Sequence, residues 1–159
     1  MKKKVLFLCS AIIIIIGLLY YNNLNKENNA IIAYNTGNTL YRIGNYTGAI
    51  DQYEKALKIN PSLAEAWYNL GLAFFDLKKL EKAILCYNRA LQIKPSDVDV
   101  LNNMGVVLAN LNRYNEAITY FNRALEIKPN DDGTLYNREL ASTLANKAKA
   151  KNVNLDFKI

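Results

Sequence analysis

The chain has 159 residues, 51% of them hydrophobic, and a formal net charge of +6 at pH 7. That length holds one modest domain and an appendage, not a two-domain enzyme. Lysine and arginine exceed aspartate and glutamate by three over residues 1–29, by one over 30–131 and by two over 132–159, so the body lacks the dense basic face of a nucleic-acid binder.

The chain begins with Lys2-Lys3-Lys4 and an uncharged run from Val5 to Tyr21 that includes Ile12 to Ile16. As a helix these 17 residues would rise ~26 Å, near the lower limit for crossing a hydrocarbon core of about 30 Å. The run ends in Leu18-Leu19-Tyr20-Tyr21 without the small-residue pattern of a cleavage site, so residues 1–21 read as a transmembrane or signal-anchor helix contacting membrane through residues 5–21. The lysines would stay cytoplasmic and leave the rest on the extracytoplasmic side. Cleavage would instead give a secreted protein. Residues 22–29 read as a short polar linker.

From Ala30 the chain repeats. Pro61, Pro95 and Pro129 stand 34 residues apart, and the same interval relates Gly37, Gly71 and Gly105; Ala49, Ala83 and Ala117; and Ala56, Ala90 and Ala124. A fixed period of this size means stacked supersecondary units. In the middle unit, Trp67, Leu70, Gly71 and Phe74 fall at helical spacing. A second helix follows with Ala83, Ile84, Tyr87, Ala90, Leu91 and Ile93, and it is expected to end at Lys94 because Pro95 disfavours α conformation in the residue before it. The turn between them carries Gly44, Lys78 or Asn112, a position for a left-handed C-cap. Gly71 is expected where the two helices approach, with Tyr53, Tyr87 and Phe121 filling the space beside the small residues.

Trp67-x-x-Leu70-Gly71-x-x-Phe74, then Ala83, Tyr87, Ala90 and Pro95, resembles the tetratricopeptide repeat (TPR). The resemblance implies an all-α, right-handed solenoid of three helix-turn-helix units, 30–63, 64–97 and 98–131, with a capping helix over 132–151 and a tail over 152–159. The cap keeps Leu135, Leu140 and Leu144 but has Arg138 and Glu139 in place of the leucine and glycine. In the tail, Leu155, Phe157 and Ile159 alternate. In the family the first helices line a concave groove, so the implied activity is binding a protein or an extended peptide.

A second series at the same interval is Asn35, Asn69, Asn103 and Asn137, preceded by Tyr34, Tyr68, Asn102 and Tyr136. Carboxamides offer a donor and an acceptor, and tyrosines give contact area at low entropic cost. The arrangement resembles the asparagine ladder in the repeat region of O-GlcNAc transferases. The binding reading places the four asparagines on a peptide backbone, flanked by Tyr34, Tyr68, Tyr136, Asn38, Tyr41, Leu72, Phe75 and Val106. The scaffold reading gives the same asparagines local helix-bridging roles. A carboxylate clamp, as in chaperone-binding relatives, is disfavoured because Tyr34, Asp99 and Asn103 occupy the positions expected to be basic.

Other chemistry finds little support. There is no histidine, and Cys9 and Cys86 lie in separate segments, so neither a metal site nor a disulfide framework is expected. No phosphate-binding loop or nucleophile with a partner base is present, which reads as a non-enzyme without a cofactor. Asp97 reads as a helix N-cap, and Asn45-Tyr46-Thr47 matches a glycosylation triplet placed in a turn. The alternative to a peptide-binding scaffold is a structural module that forms homo-oligomers.

Overall fold

The computed structural model describes the backbone of residues 2–156 and the side chains of residues 13–151. Among the described residues there are seven helices: α1 (Lys2–Arg42), α2 (Tyr46–Ile59), α3 (Ala64–Asp76), α4 (Leu80–Ile93), α5 (Val98–Asn110), α6 (Tyr114–Ile127) and α7 (Asp132–Asp156). They fall into two compact units, Met1–Pro61 and Ser62–Ile159.

The anchor expected over residues 1–21 is corrected. Among the described residues, no helix is long and apolar enough to cross a membrane. Residues 22–29 contain neither proline nor glycine, so nothing stops the backbone ladder, and α1 continues through them to Arg42. The large apolar side chains from Ile13 to Tyr21 are exposed. Among the described residues, no spanning helix therefore supports the expected membrane contact through residues 5–21. The side chains of Cys9 and Leu155, and residues Phe157 and Ile159, lie outside what the structure describes.

In the first unit, the end of α1 pairs with α2; in the second, α3 pairs with α4, α5 with α6, and α7 packs on α6. Each turn is built alike. Gly44, Lys78 and Asn112 adopt φ of 78°, 59° and 60°. The next residue then donates its N–H five residues back, Asn45 to Leu40 O at 2.9 Å, Lys79 to Phe74 O at 2.8 Å and Arg113 to Leu108 O at 2.9 Å. This is the Schellman closure of a helix C-terminus, which satisfies carbonyls that the ladder leaves open.

The second helices end at Ile59, Ile93 and Ile127, one residue earlier than the sequence reading placed the middle one, because the residue before each proline leaves α space. Lys94 has ψ of 83°. Asp97 caps α5 as expected, accepting from Val100 N at 3.2 Å. Asn45 caps α2, its Oδ1 accepting from Gly48 N at 3.0 Å, which gives the carboxamide of the Asn45-Tyr46-Thr47 triplet a structural role.

The small residues act where the period placed them. A Cβ on Gly37 would lie 2.6 Å from Tyr53 Cε1, one on Gly71 2.4 Å from Tyr87 Cε1, and one on Gly105 2.4 Å from Phe121 Cε1. These three rings are almost fully buried, as are Ala49, Ala56, Ala83, Ala90, Ala117 and Ala124. Each repeat thus closes by seating one aromatic ring against a bare backbone.

Candidate functional site

In α3, α5 and α7 the Tyr-Asn position or its equivalent lies a little over one turn from the helix start, whereas in α1 it lies towards the C-terminal end. In the first unit, Asn35 is exposed and Tyr34 half-buried. The Tyr34 ring packs 6.1 Å from that of Tyr53. Asn38 is half-buried, and its Oδ1 accepts from Tyr53 Oη at 2.9 Å. In the other two repeats the position of Asn38 is apolar, Leu72 and Val106. Tyr41 is half-buried, with its ring 5.3 Å from that of Tyr46.

In the second unit, Tyr68, Asn69, Leu72, Phe75, Val106, Asn103 and Asn137 are all half-buried, and Tyr136 is exposed. Asn103 donates through Nδ2 to Tyr68 Oη at 2.8 Å, and Asn137 donates through Nδ2 to Asn102 Oδ1 at 3.2 Å. Both bonds run from a series asparagine to the residue before the asparagine of the preceding repeat. The ladder therefore ties α5 to α3 and α7 to α5. Asn102 had stood out only as a break in the Tyr-Asn pattern. In the structure it is the acceptor that replaces the tyrosine hydroxyl, and its Oδ1 lies 3.3 Å from Thr134 Oγ1.

Thr134, fully buried, is the polar residue that locks the cap. Its N–H and hydroxyl donate to Asp131 Oδ2 at 3.1 and 2.7 Å, and Lys128 Nζ donates to Asp131 Oδ1 at 2.7 Å. The lysine ammonium, then the two Thr134 donors, hold the Asp131 carboxyl at about 2, below its ordinary 3.8. Asp131 also sits at the α7 N-terminus, where a negative charge meets open backbone donors. Neither Thr134 nor Asp131 was singled out from sequence; an Asp-x-x-Thr spacing at a helix start was the available signal.

The electrostatics of this face are anionic near Tyr68. Burial raises its phenol pKa first, the carboxylates of Asp99 and Asp97 raise it further, and the Asn103 N–H donated to its oxygen acts the other way. Glu65, at the start of α3, is tied to Lys94 after α4, and that bond lowers the carboxyl pKa. No group of three or more metal-ligating side chains occurs among the described residues.

Comparison with known proteins agrees with this construction. A profile described as "TPR repeat" matches residues 37–77, and one described as "Tetratricopeptide repeat" matches 64–97 and 98–131. No curated protein matches the chain. Among solved structures, the first TPR domain of human RPAP3 is similar at 25% identity and a TM-score of 0.74, over 78% of this chain and 98% of that one. The first TPR of Spaghetti (RPAP3) bound to the HSP90 peptide SRMEEVD is similar at 26% identity and a TM-score of 0.72, over 74% and 93%. MamA is similar at 26% identity and a TM-score of 0.70, over 77% and 69%.

Proposed function

The chain belongs to the tetratricopeptide repeat family, and from that membership we propose that it is a non-catalytic interaction module whose first-helix face in the second unit takes an extended segment of a partner protein. The observation that carries the proposal is how the asparagine bridges are made. Asn103 and Asn137 spend their amide nitrogens on the preceding repeat, while their carbonyl oxygens enter no hydrogen bond among the described residues. A carboxamide pinned at one end and open at the other is preorganised to accept a backbone N–H. Scaffold and binding roles are thus two ends of one group, and Leu72, Phe75 and Val106 beside them supply half-buried apolar contact.

A similar TPR domain holds a peptide ending in Glu-Glu-Val-Asp. Here Asp99 and Asp97 act on Tyr68 within the proposed face, and a carboxylate-rich peptide end would be repelled there. The favoured ligand is a segment read through its backbone and apolar side chains.

The test is selection of binders from a displayed peptide library on the full chain, repeated on Leu72→Lys and Val106→Lys variants. Capture should fall by about tenfold or more when an apolar contact of ~1.4 kcal/mol is lost, with helicity and melting unchanged. Equal capture by the wild type and both variants would place binding elsewhere.

A further inference from the structure

The second helices carry a repetition that stacking explains only in part. Asn88-Arg89-Ala90-Leu91 in α4 recurs as Asn122-Arg123-Ala124-Leu125 in α6. The alanines and leucines are buried and belong to the stack, whereas Arg89 is exposed and Arg123 half-buried. Both arginines line one cleft of about 460 Å³, with Leu85, Asn88, Gln92 and Tyr120. The cleft lies on the second helices, apart from the first-helix face.

We infer that this cleft between α4 and α6 is a second binding site, which takes the carboxylate of an acidic residue in a partner segment and an apolar side chain next to it. Each guanidinium is positioned by a neutral neighbour: Arg89 Nη1 donates to Gln92 Oε1 at 2.9 Å, and Arg123 lies over the Tyr120 ring at 5.2 Å. Among the described residues the ion pairs use Lys94, Arg113 and Lys128, so neither cleft arginine has its charge met by a carboxylate. Glu126, three residues after Arg123, is not paired with it. Two oriented, uncompensated guanidinium groups match a planar carboxylate, which accepts paired N–H donors.

The apolar half of the site is Leu85, 65% exposed at the cleft in an otherwise polar stretch of surface, together with the Tyr120 ring. This half favours a peptide over a nucleic acid. Residues 30–131 carry a net charge of only +1, too little to track a phosphate backbone. The site does not depend on the first-helix face, and loss of either should leave the other intact.

The experiment is an amide chemical-shift titration of the full chain with acetylated and amidated Leu-Glu-Leu-Glu, its Leu-Gln-Leu-Gln analogue, and inorganic phosphate. The acidic peptide should shift amides within residues 85–92 and 120–123. The glutamine analogue should bind about tenfold more weakly, as should the acidic peptide on an Arg89→Gln/Arg123→Gln variant, because a charge-assisted bond is lost. That variant changes solvent-facing side chains, and unchanged helicity would exclude a folding defect. Val106→Lys should leave the shifts as they are. The proposal is overturned if no shift maps to the cleft, if both peptides bind alike, or if phosphate shifts the same amides at lower concentration than the acidic peptide.

Discussion

Replacing Gly105 with alanine sets two effects of opposite sign against each other. In the interior of α5, alanine is favoured over glycine by ~1 kcal/mol through backbone entropy alone. Against this, the new Cβ would sit 2.4, 2.7 and 2.7 Å from Phe121 Cε1, Cδ1 and Cζ. Carbon atoms pack at roughly 3.5–4.0 Å, so the ring would have to retreat by about 1 Å. Phe121 is only 1% exposed and cannot swing into water. Overpacking of this kind costs ~1–3 kcal/mol, and a ring already buried has little room to give, which puts the value in the upper half. The net expectation is a loss of ~1–2 kcal/mol, a fall of roughly 5–15 °C in melting temperature for a unit of this size.

Urea unfolding followed by far-ultraviolet circular dichroism and by Trp67 fluorescence would measure it. The double variant Gly105→Ala/Phe121→Leu should recover ~1 kcal/mol relative to the sum of the single changes, since neighbours in contact are not additive. Gly133→Ala, whose Cβ would meet only Asp131 Oδ2 at 3.8 Å, should cost nothing. A Gly105→Ala protein as stable as the wild type would show that the helix spacing is not set by the ring against the glycine.

Lys78 holds a left-handed φ of 59°, where a side chain costs ~1–2 kcal/mol, so Lys78→Gly should raise stability by about 0.5 kcal/mol in urea unfolding after glycine's entropy and the lost Phe75 contact are subtracted. A decrease would contradict the turn geometry. Asn103→Ala and Tyr68→Phe should each cost ~0.5–1.5 kcal/mol and show coupling in a double-mutant cycle; strict additivity would deny the bridge. The depressed Asp131 carboxyl stabilises the folded state above its ordinary value of 3.8 and loses that contribution as pH falls towards about 2. Thermal melts of the wild type and Asp131→Asn should therefore differ at neutral pH and converge across pH 4 to 2; a gap that persists at pH 2 would assign the effect to something other than charge.

The repeat was legible because packing imposes it at fixed positions. Gly105 against Phe121 and Ala117 beside it recur every 34 residues, since each unit must solve the same closure. Lys78 and Asn112 were readable as C-caps from the glycine at Gly44. The N-terminus misled because composition gives apolarity but not where a helix stops: a 17-residue run with no breaker after it continues into the repeat rather than ending as a separate anchor. On the candidate face, the interval located Asn103 and Asn137 but not their partners. A hydrogen bond between residues 35 apart depends on how neighbouring repeats are offset, and one sequence does not encode that offset locally.

The asparagine series also shows why recurrence alone cannot separate support from recognition. A residue kept at every repeat for stacking should be buried within the stack, as the aromatic rings over the glycines are. A residue kept for a ligand should be exposed and mobile. Asn103 and Asn137 meet neither description, because each is half-buried and bonded through its nitrogen with its oxygen uncommitted among the described residues. The bond to the preceding repeat fixes the rotamer, which removes part of the ordering cost that a free side chain would meet on binding a peptide. On the proposed reading, stacking prepares the binding group, and a change that loosens the bridge should weaken capture even where it leaves the carbonyl in place.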